Sequence, residues 1–480
     1  MDRWNGKRVL VLGAARQGIA LARWLVRHGA VVTLSDIRSE DALPEARSAL
    51  ADLPIRWALG GHPLELLDTT DIVCVSGGVP LEIPIVQEAR RRGLPLSNDT
   101  QIFVELAPCK TIGITGSAGK TTTTALVGEM ARAAFQKDRV AEAGTPGPPS
   151  HASAYVGGNI GDPLLNHLDS MRPSDLAIME ISSFQLEQMT ISPNVAAVLN
   201  ITPNHLDRHS NMAAYTAAKA RLLDFQRSED SAVLGRDDPG AWDLRGKVKG
   251  KLNSFGFSKP QSGSDGTFYE DGMLYLLERG VEIPLLRREQ ISLRGDHNLL
   301  NALAAFAVGQ AAGLPLDAML IAAEGFEGVA HRLQLVRMLH GAAWVDDSIA
   351  TTPERVMAAI RSFDEPLVLL LGGRDKKLPW GDLARLVCQR VDHVVLFGEA
   401  APKIEQALRA EQAVQADSRA ATRPLSIDTV SRMQQAVVRA AELAQAGDVV
   451  LLAPGGTSFD EFKDFEERGD QYRSCVQALS

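Results

Sequence analysis

Thr111-Ile112-Gly113-Ile114-Thr115-Gly116-Ser117-Ala118-Gly119-Lys120-Thr121-Thr122-Thr123-Thr124 decides how this chain is read. An apolar run with β-branched residues leads into a glycine turn, and a Lys-Thr pair then opens residues 125–134, whose apolar spacing predicts a helix. A strand, a glycine loop and a helix start in that order aim successive backbone N–H groups and a helix N-terminus at an anion. The lysine then meets the outer phosphates and the threonine hydroxyl meets Mg²⁺. Gly116, Ser117, Ala118, Gly119, Lys120, Thr121 and Thr122 are therefore candidate contacts for ATP. Only the shorter G-x-x-G-K-T core is present, because Ile114 stands where the longer phosphate-loop pattern has glycine. Taken alone, the loop also fits an ordinary turn between a strand and a helix.

Upstream, residues 7–12 form a buried-strand pattern, followed by Gly13-Ala14-Ala15-Arg16-Gln17-Gly18, a helix to His28 and a second strand at 31–34 with Asp36 at its end. This is a Rossmann-like opening, but Ala15 replaces the second glycine of the dinucleotide fingerprint, where backbone must approach a pyrophosphate closely. The substitution weighs against an NAD-dependent oxidoreductase, the main rival reading of this segment. Asp36 and Arg38 suit the ribose or base edge of another nucleotide-like ligand, or simply end a strand. Ser76-Gly77-Gly78 is a further turn able to hold phosphate.

Downstream, residues 136–153 are rich in Gly, Pro, Ala and Ser and read as an inserted loop. A strand at 176–179 delivers Glu180, where a second Mg²⁺ contact is needed, and a strand at 195–199 delivers the segment holding His205, with Lys219 on the next helix. Residues 234–291 suggest small antiparallel hairpins beside the main sheet. Asn298 and Asn301 lie three apart on a long Ala-rich helix, hence on one face, where two amides can read an adenine edge. Beyond residue 330, strands at 343–345, 367–371, 393–397 and 449–452 alternate with helical stretches, a third α/β segment.

The 480 residues, 45% hydrophobic and 23% charged, make an ordinary globular chain of about three domains. No apolar run approaches the roughly 20 residues that span a bilayer, the first residues lack the apolar core of a signal peptide, and the 4 cysteines are scattered. The expectation is a cytoplasmic protein with no disulfide framework, no zinc spacing and no membrane association. A net charge of −9 gives no basic footprint for nucleic acid.

Together with Gly157-Gly158-Asn159-Ile160-Gly161, Glu180-Ile181-Ser182-Ser183-Phe184-Gln185-Leu186-Glu187, Asn204-His205-Leu206-Asp207-Arg208, Gly295-Asp296-His297-Asn298-Leu299-Leu300-Asn301-Ala302, His331-Arg332 and Phe459-Asp460-Glu461-Phe462-Lys463-Asp464-Phe465-Glu466-Glu467-Arg468-Gly469, the phosphate loop resembles the Mur ligase family, and within it the D-glutamate-adding branch. The motifs occur in the family's order across essentially the whole chain, and the Asp-Asn-Pro-Arg motif of the diaminopimelate- or lysine-adding relatives is missing. The resemblance implies an α/β fold of three domains: a Rossmann-like UDP-sugar domain at 1–107, a central P-loop ATPase-like domain at 108–328 and a mobile, Rossmann-like amino-acid domain at 329–480.

It also implies ATP-driven amide formation in peptidoglycan precursor synthesis, joining UDP-N-acetylmuramoyl-L-alanine to D-glutamate in a monomer. Lys120 would steady the phosphates, with two Mg²⁺ ions held by Thr121, Glu180, His205 and Lys219, the last matching a lysine that is carbamylated in the family. Asn298, Asn301, Arg332 and Asp347 fall to ATP. Gly13, Asp36, Arg38, Ser76, Gly78 and Asn159 fall to the UDP-sugar, and Thr351, Lys376, Ser458 and Phe465 to glutamate. Ile349 departs from the pattern, which has lysine after Asp347-Ser348, so one cation is missing and Lys376 or Lys377 is left to carry more of that charge. Sequence motifs do not display chirality, so L-glutamate or another acidic amino acid stays open, as does a non-catalytic ATP-binding protein.

Overall fold

The computed structural model describes residues 3–142, 152–203, 209, 211–261, 263–376, 378–415 and 423–480. Three sheets follow one another along the chain, as the sequence predicts. The first contains β1 (Arg8–Leu12), β2 (Val31–Asp36), β3 (Arg56–Leu59), β4 (Ile72–Val75) and β5 (Leu96–Ser97), all parallel in the order β3-β2-β1-β4-β5. The order reverses beside β1. The turn after β1 therefore opens at a topological switch point, the usual place for a ligand in such sheets.

The second sheet holds β6 (Lys110–Thr115), β7 (Ala154–Gly158), β8 (Leu176–Glu180), β9 (Val195–Val198), β10 (Ser231–Gly235), β11 (Lys251–Phe255), β12 (Asp265–Glu270), β13 (Met273–Glu278) and β14 (Val281–Arg287). Its order is β14-β13-β12-β11-β10-β9-β6-β8-β7. β6 lies between β8 and β9, parallel to both, so the phosphate loop leaves the sheet beside the ends of β8 and β9. The antiparallel hairpins expected at 234–291 are β12, β13 and β14, and they extend this sheet rather than standing apart from it, because β11 pairs β12 in parallel.

The helix after the loop runs Lys120–Glu142, well beyond 125–134. Residues 136–142, expected in the inserted loop, are thus helical; the rest of that loop up to 151 lies outside the described residues. Gln136, Lys137, Arg139, Ala141 and Glu142 are good helix formers, a signal that the Gly/Pro-rich stretch behind them masked.

The third sheet comprises β15 (Gln334–Leu339), β16 (Ala342–Asp346), β17 (Leu367–Gly372), β18 (His393–Phe397), β19 (Ser426–Thr429) and β20 (Val449–Gly455), in the order β15-β16-β20-β17-β18-β19. Only the β15–β16 pair is antiparallel. The first five residues of β17 and of β20 are runs of Leu, Val and Ala, buried along their length, as expected of strands covered on both faces.

Compactness divides the chain into two units, Met1–Phe326 and Glu327–Ser480. The first two sheets fall in one unit because they share a hydrophobic core: Leu21, Trp24 and Leu25 from the helix Arg16–Arg27 belong to the same cluster as Leu164, Leu165 and Leu168. The Trp24 indole N–H also donates to Asp169 at 3.2 Å. All four cysteines are free, and no helix among the described residues is long and apolar enough to cross a membrane.

Candidate active site

The phosphate loop is held open from below by Asn200, the second residue after β9. Its Oδ1 accepts the Ala118 N–H at 2.8 Å and its carbonyl accepts the Ser117 N–H at 3.0 Å. Gly119 takes a positive φ of 83°, and a Cβ there would stand 2.2 Å from Asn301 Oδ1. Asn301 donates in turn to Asn298 Oδ1 at 3.1 Å, so the two amides predicted to share a helical face do meet, directly against the loop.

Around the start of the following helix the polar side chains form a chain. The Thr121 hydroxyl donates to Glu180 Oε2 at 2.8 Å, and the Asn159 amide donates to Glu180 Oε1 at 2.8 Å. Glu180 is 2% exposed, so its carboxylate has given up water for these two donors. Lys120 donates to the Gly116 carbonyl at 2.8 Å, and Lys219 donates to the same oxygen at 3.0 Å and to Thr115 Oγ1 at 3.3 Å. Lys219 is buried over the Tyr215 ring at 4.6 Å. Burial first, and the Lys120 charge second, push its ammonium down to about 6 against the opposing pull of Glu180. His205 lies outside the described residues.

The first sheet delivers its turn to the same neighbourhood. Gly13 has φ 94° at the switch point, and the Ser76 hydroxyl donates to its carbonyl at 3.3 Å. Asp36 accepts the Ala14 N–H at 2.8 Å and a two-pronged Arg38 guanidinium at 2.9 Å. Burial alone would raise its carboxyl, but the Arg38 fork and the Ala14 and Arg38 N–H groups outweigh this and hold it at about 2. Gly78 faces open space. From the first turn of the helix Arg16–Arg27, Gln17 donates to the Gly158 carbonyl at 3.4 Å and Arg16 to the Asn159 carbonyl at 3.3 Å, which ties the first sheet to the loop that orients Glu180.

In the second unit, Thr351 and Lys376 are brought together, with Lys376 Nζ donating to Thr351 Oγ1 at 3.2 Å. Lys377 lies outside the described residues. Phe465 stacks edge-on to His331, its carbonyl accepting the Ser348 hydroxyl at 2.8 Å, while Ser458 is buried in the turn after β20. Asp347 is pushed up to about 7 by burial, against the Leu333 N–H and the charges of Arg332 and Arg355. Beside it His331 is raised by its 2.8 Å hydrogen bond to Asp346.

Three family models match successive parts of the chain. They are a Mur ligase MurD-like N-terminal domain at residues 7–97, a Mur ligase middle domain at 114–309 and a Mur ligase glutamate ligase domain at 331–456. The chain is 37% identical over 474 residues to a UDP-N-acetylmuramoylalanine--D-glutamate ligase of Symbiobacterium thermophilum, covering 99% of this chain and 98% of the relative. It is 38% identical to the protein of that name from Trichlorobacter lovleyi, covering 98% and 99%. This chain belongs to the Mur ligase family. Solved structures agree on the fold: MurF from Acinetobacter baumannii superposes with a TM-score of 0.56 at 17% identity, covering 99% of this chain and 94% of that one. UDP-N-acetylmuramate-alanine ligase from Thermotoga maritima gives 0.54 at 18%, covering 98% and 99%.

Sequence reasoning passed over several residues that organise the site of this Mur ligase. Asn200 and Tyr215 were silent, although an Asn just past a strand beside the loop is a signal in retrospect. Arg468 sits in a quoted motif without a role. It is fully buried, and donates to the Ser348 hydroxyl and carbonyl at 3.0 and 2.9 Å and to the Gly456 carbonyl at 3.2 Å. His209 bridges Ser183 at 2.9 Å and Glu187 at 3.1 Å. Among the described residues no cluster of three His, Cys, Asp or Glu side chains is available to a metal ion. The Thr121 hydroxyl and Glu180 carboxylate, already 2.8 Å apart, are hard oxygen donors of the kind Mg²⁺ takes alongside phosphates and water.

Proposed function

We propose that this Mur ligase joins D-glutamate to UDP-N-acetylmuramoyl-L-alanine with cleavage of ATP to ADP and phosphate, in peptidoglycan precursor synthesis. The observation that carries the reading is end-to-end similarity to relatives of that name, combined with a phosphate loop whose lysine folds onto the Gly116 carbonyl and whose threonine hydroxyl meets the Glu180 carboxylate.

In this reading the UDP-sugar lies along Gly13, Asp36, Arg38, Ser76 and Gly78, with Asn159 on the sugar side. ATP lies on Gly116 to Thr122 with Asn298 and Asn301, and Arg332 and Asp347 are assigned to the nucleotide as well. Glutamate takes Thr351, Lys376, Ser458 and Phe465. The three parts of the chain, 1–107, 108–328 and 329–480, take mainly the UDP-sugar, ATP and glutamate in that order. The substrate carboxylate oxygen attacks the γ-phosphorus and ADP leaves. The glutamate amine then attacks the acyl carbon, loses its proton and expels phosphate.

Lys120 steadies charge on the phosphoryl oxygens, the term that dominates phosphoryl transfer. Thr121, Glu180 and His205 would hold Mg²⁺, two ions in this reading, which supplies charge neutralisation for the phosphates. Carbamylation of Lys219 would turn a buried amine, neutral above about pH 6, into an anion facing that site. The protein acts as a monomer. Phosphate release from ATP, measured with UDP-N-acetylmuramoyl-L-alanine and each glutamate enantiomer, tests the proposal. Turnover with the D-form supports it, turnover only with the L-form moves it to the variant chemistry, and inactivity with both overturns it.

A further inference from the structure

The Thr351–Lys376 pair stands beside a third group that no motif marks. Arg355, on the first turn of the helix Pro353–Ile360, folds back so that Nη1 donates to the Ile349 carbonyl at 3.0 Å. The same carbonyl accepts the Thr351 N–H at 2.9 Å, so the guanidinium is fixed to the short loop that presents the Thr351 hydroxyl to Lys376. Arg468 closes the cluster from the other side through Ser348.

Three cations thus surround one loop, and none of them has a carboxylate at ion-pair distance among the described residues. The acids that face them are Asp346, held by His331, Asp347 and Asp460. Partial burial first, then the charges of Arg355 and Arg468, lower the Lys376 ammonium. Like charges gathered without a carboxylate in direct contact are at odds with one another until an anion arrives. An amino acid with two carboxylates answers that arrangement, and a planar guanidinium is the better partner for a carboxylate than an ammonium.

We propose that Arg355 is a substrate-binding residue that meets a carboxylate of the incoming amino acid beside Thr351 and Lys376, supplying the cation that Ile349 does not. The inference rests on the assignment of Thr351 and Lys376 to the amino acid. It differs from the expectation that Lys376 or Lys377 makes up the missing charge, since the guanidinium reaches the loop from the helix that follows.

The test compares the wild type with Arg355→Ala, Arg355→Lys and Arg355→Ala combined with Ile349→Lys, in steady-state ligation with each substrate varied in turn. Loss of one charge-assisted contact should raise KM for glutamate about 10- to 100-fold in Arg355→Ala and leave KM for ATP and for the UDP-sugar within about twofold. Arg355→Lys should recover part of the loss, and so should the added Ile349→Lys. An unchanged glutamate KM in Arg355→Ala, or an equal rise in all three KM values, overturns the proposal. Wild-type activity with some other amino acid would overturn the glutamate assignment instead, and the comparison is then made with that amino acid. Calorimetric glutamate binding to the wild type and Arg355→Ala reads the pocket without turnover, and equal affinities overturn it. Unfolding midpoints of every variant separate a lost contact from a lost fold.

Discussion

Lys120 and Lys219 converge on one acceptor, the Gly116 carbonyl, at 2.8 and 3.0 Å. Two ammonium groups sharing an oxygen beside a buried carboxylate is an arrangement that one of them leaves at neutral pH by giving up its proton. The buried one, Lys219, does so at about 6. Above that pH its amine is neutral, and its nitrogen can add to CO₂ with loss of a proton to give a carbamate. Protein equilibrated with ¹³C-bicarbonate at pH 8 should show one carbamate carbon resonance that disappears in Lys219→Gln, together with most of the activity. Full activity without the resonance would remove the anionic role.

Gly119 carries the second prediction. Alanine there needs a left-handed backbone that costs about 1 kcal/mol or more, and its methyl would stand 2.2 Å from Asn301 Oδ1. Gly119→Ala should lower stability by about 1–3 kcal/mol in denaturant melts and raise KM for ATP. Adding Asn301→Ala should return the steric part of the stability loss and none of the nucleotide affinity. A neutral Gly119→Ala would show that the loop does not depend on this conformation.

Asp36 gives a pH signature. Its carboxyl sits at about 2, below its ordinary value, so the folded state holds it ionised. The stability this contributes is complete above about pH 4 and is lost as pH falls through 4 toward 2. Asp36→Asn should therefore cost about 1–2 kcal/mol at pH 7, allowing for the half-exposed Arg38, and the gap should narrow steadily below pH 4. Parallel stability curves for the two proteins down to pH 2 would contradict the pairing.

Asp347 has the opposite sign. Burial raises its carboxyl to about 7, so between about pH 4 and 7 the folded state holds a proton that the unfolded chain has released. Its contribution is present below about 4 and falls away as pH rises through 7, leaving a buried anion. Asp347→Asn should raise the unfolding free energy by on the order of 2 kcal/mol at pH 8, change it little at pH 4, and reduce ligation if the residue serves the nucleotide. Unchanged stability at pH 8 would place the carboxylate in a better solvated setting than its burial implies.

The sequence alone determined the phosphate loop, the strand before it and the helix after it, the positions of Glu180 and Lys219 and the succession of three α/β segments. These depend on local signals: β-branched runs, glycine turns, helical spacing and motifs in a fixed order. Asn298 and Asn301 are the clearest case, since a spacing of three on a helix settles their shared face, and the structure adds only that this face meets Gly119. Tertiary structure decided what spacing cannot encode: that Lys219 loses its water, that Arg16 and Gln17 reach Asn159 and Gly158 some 140 positions away, and that Arg355 turns back onto Ile349. Burial and long-range contact are properties of how elements pack. No pattern along the chain marked Arg355 as a neighbour of the Ile349–Thr351 loop, because the carbonyl that holds it there belongs to a loop whose course is set by the sheet beneath.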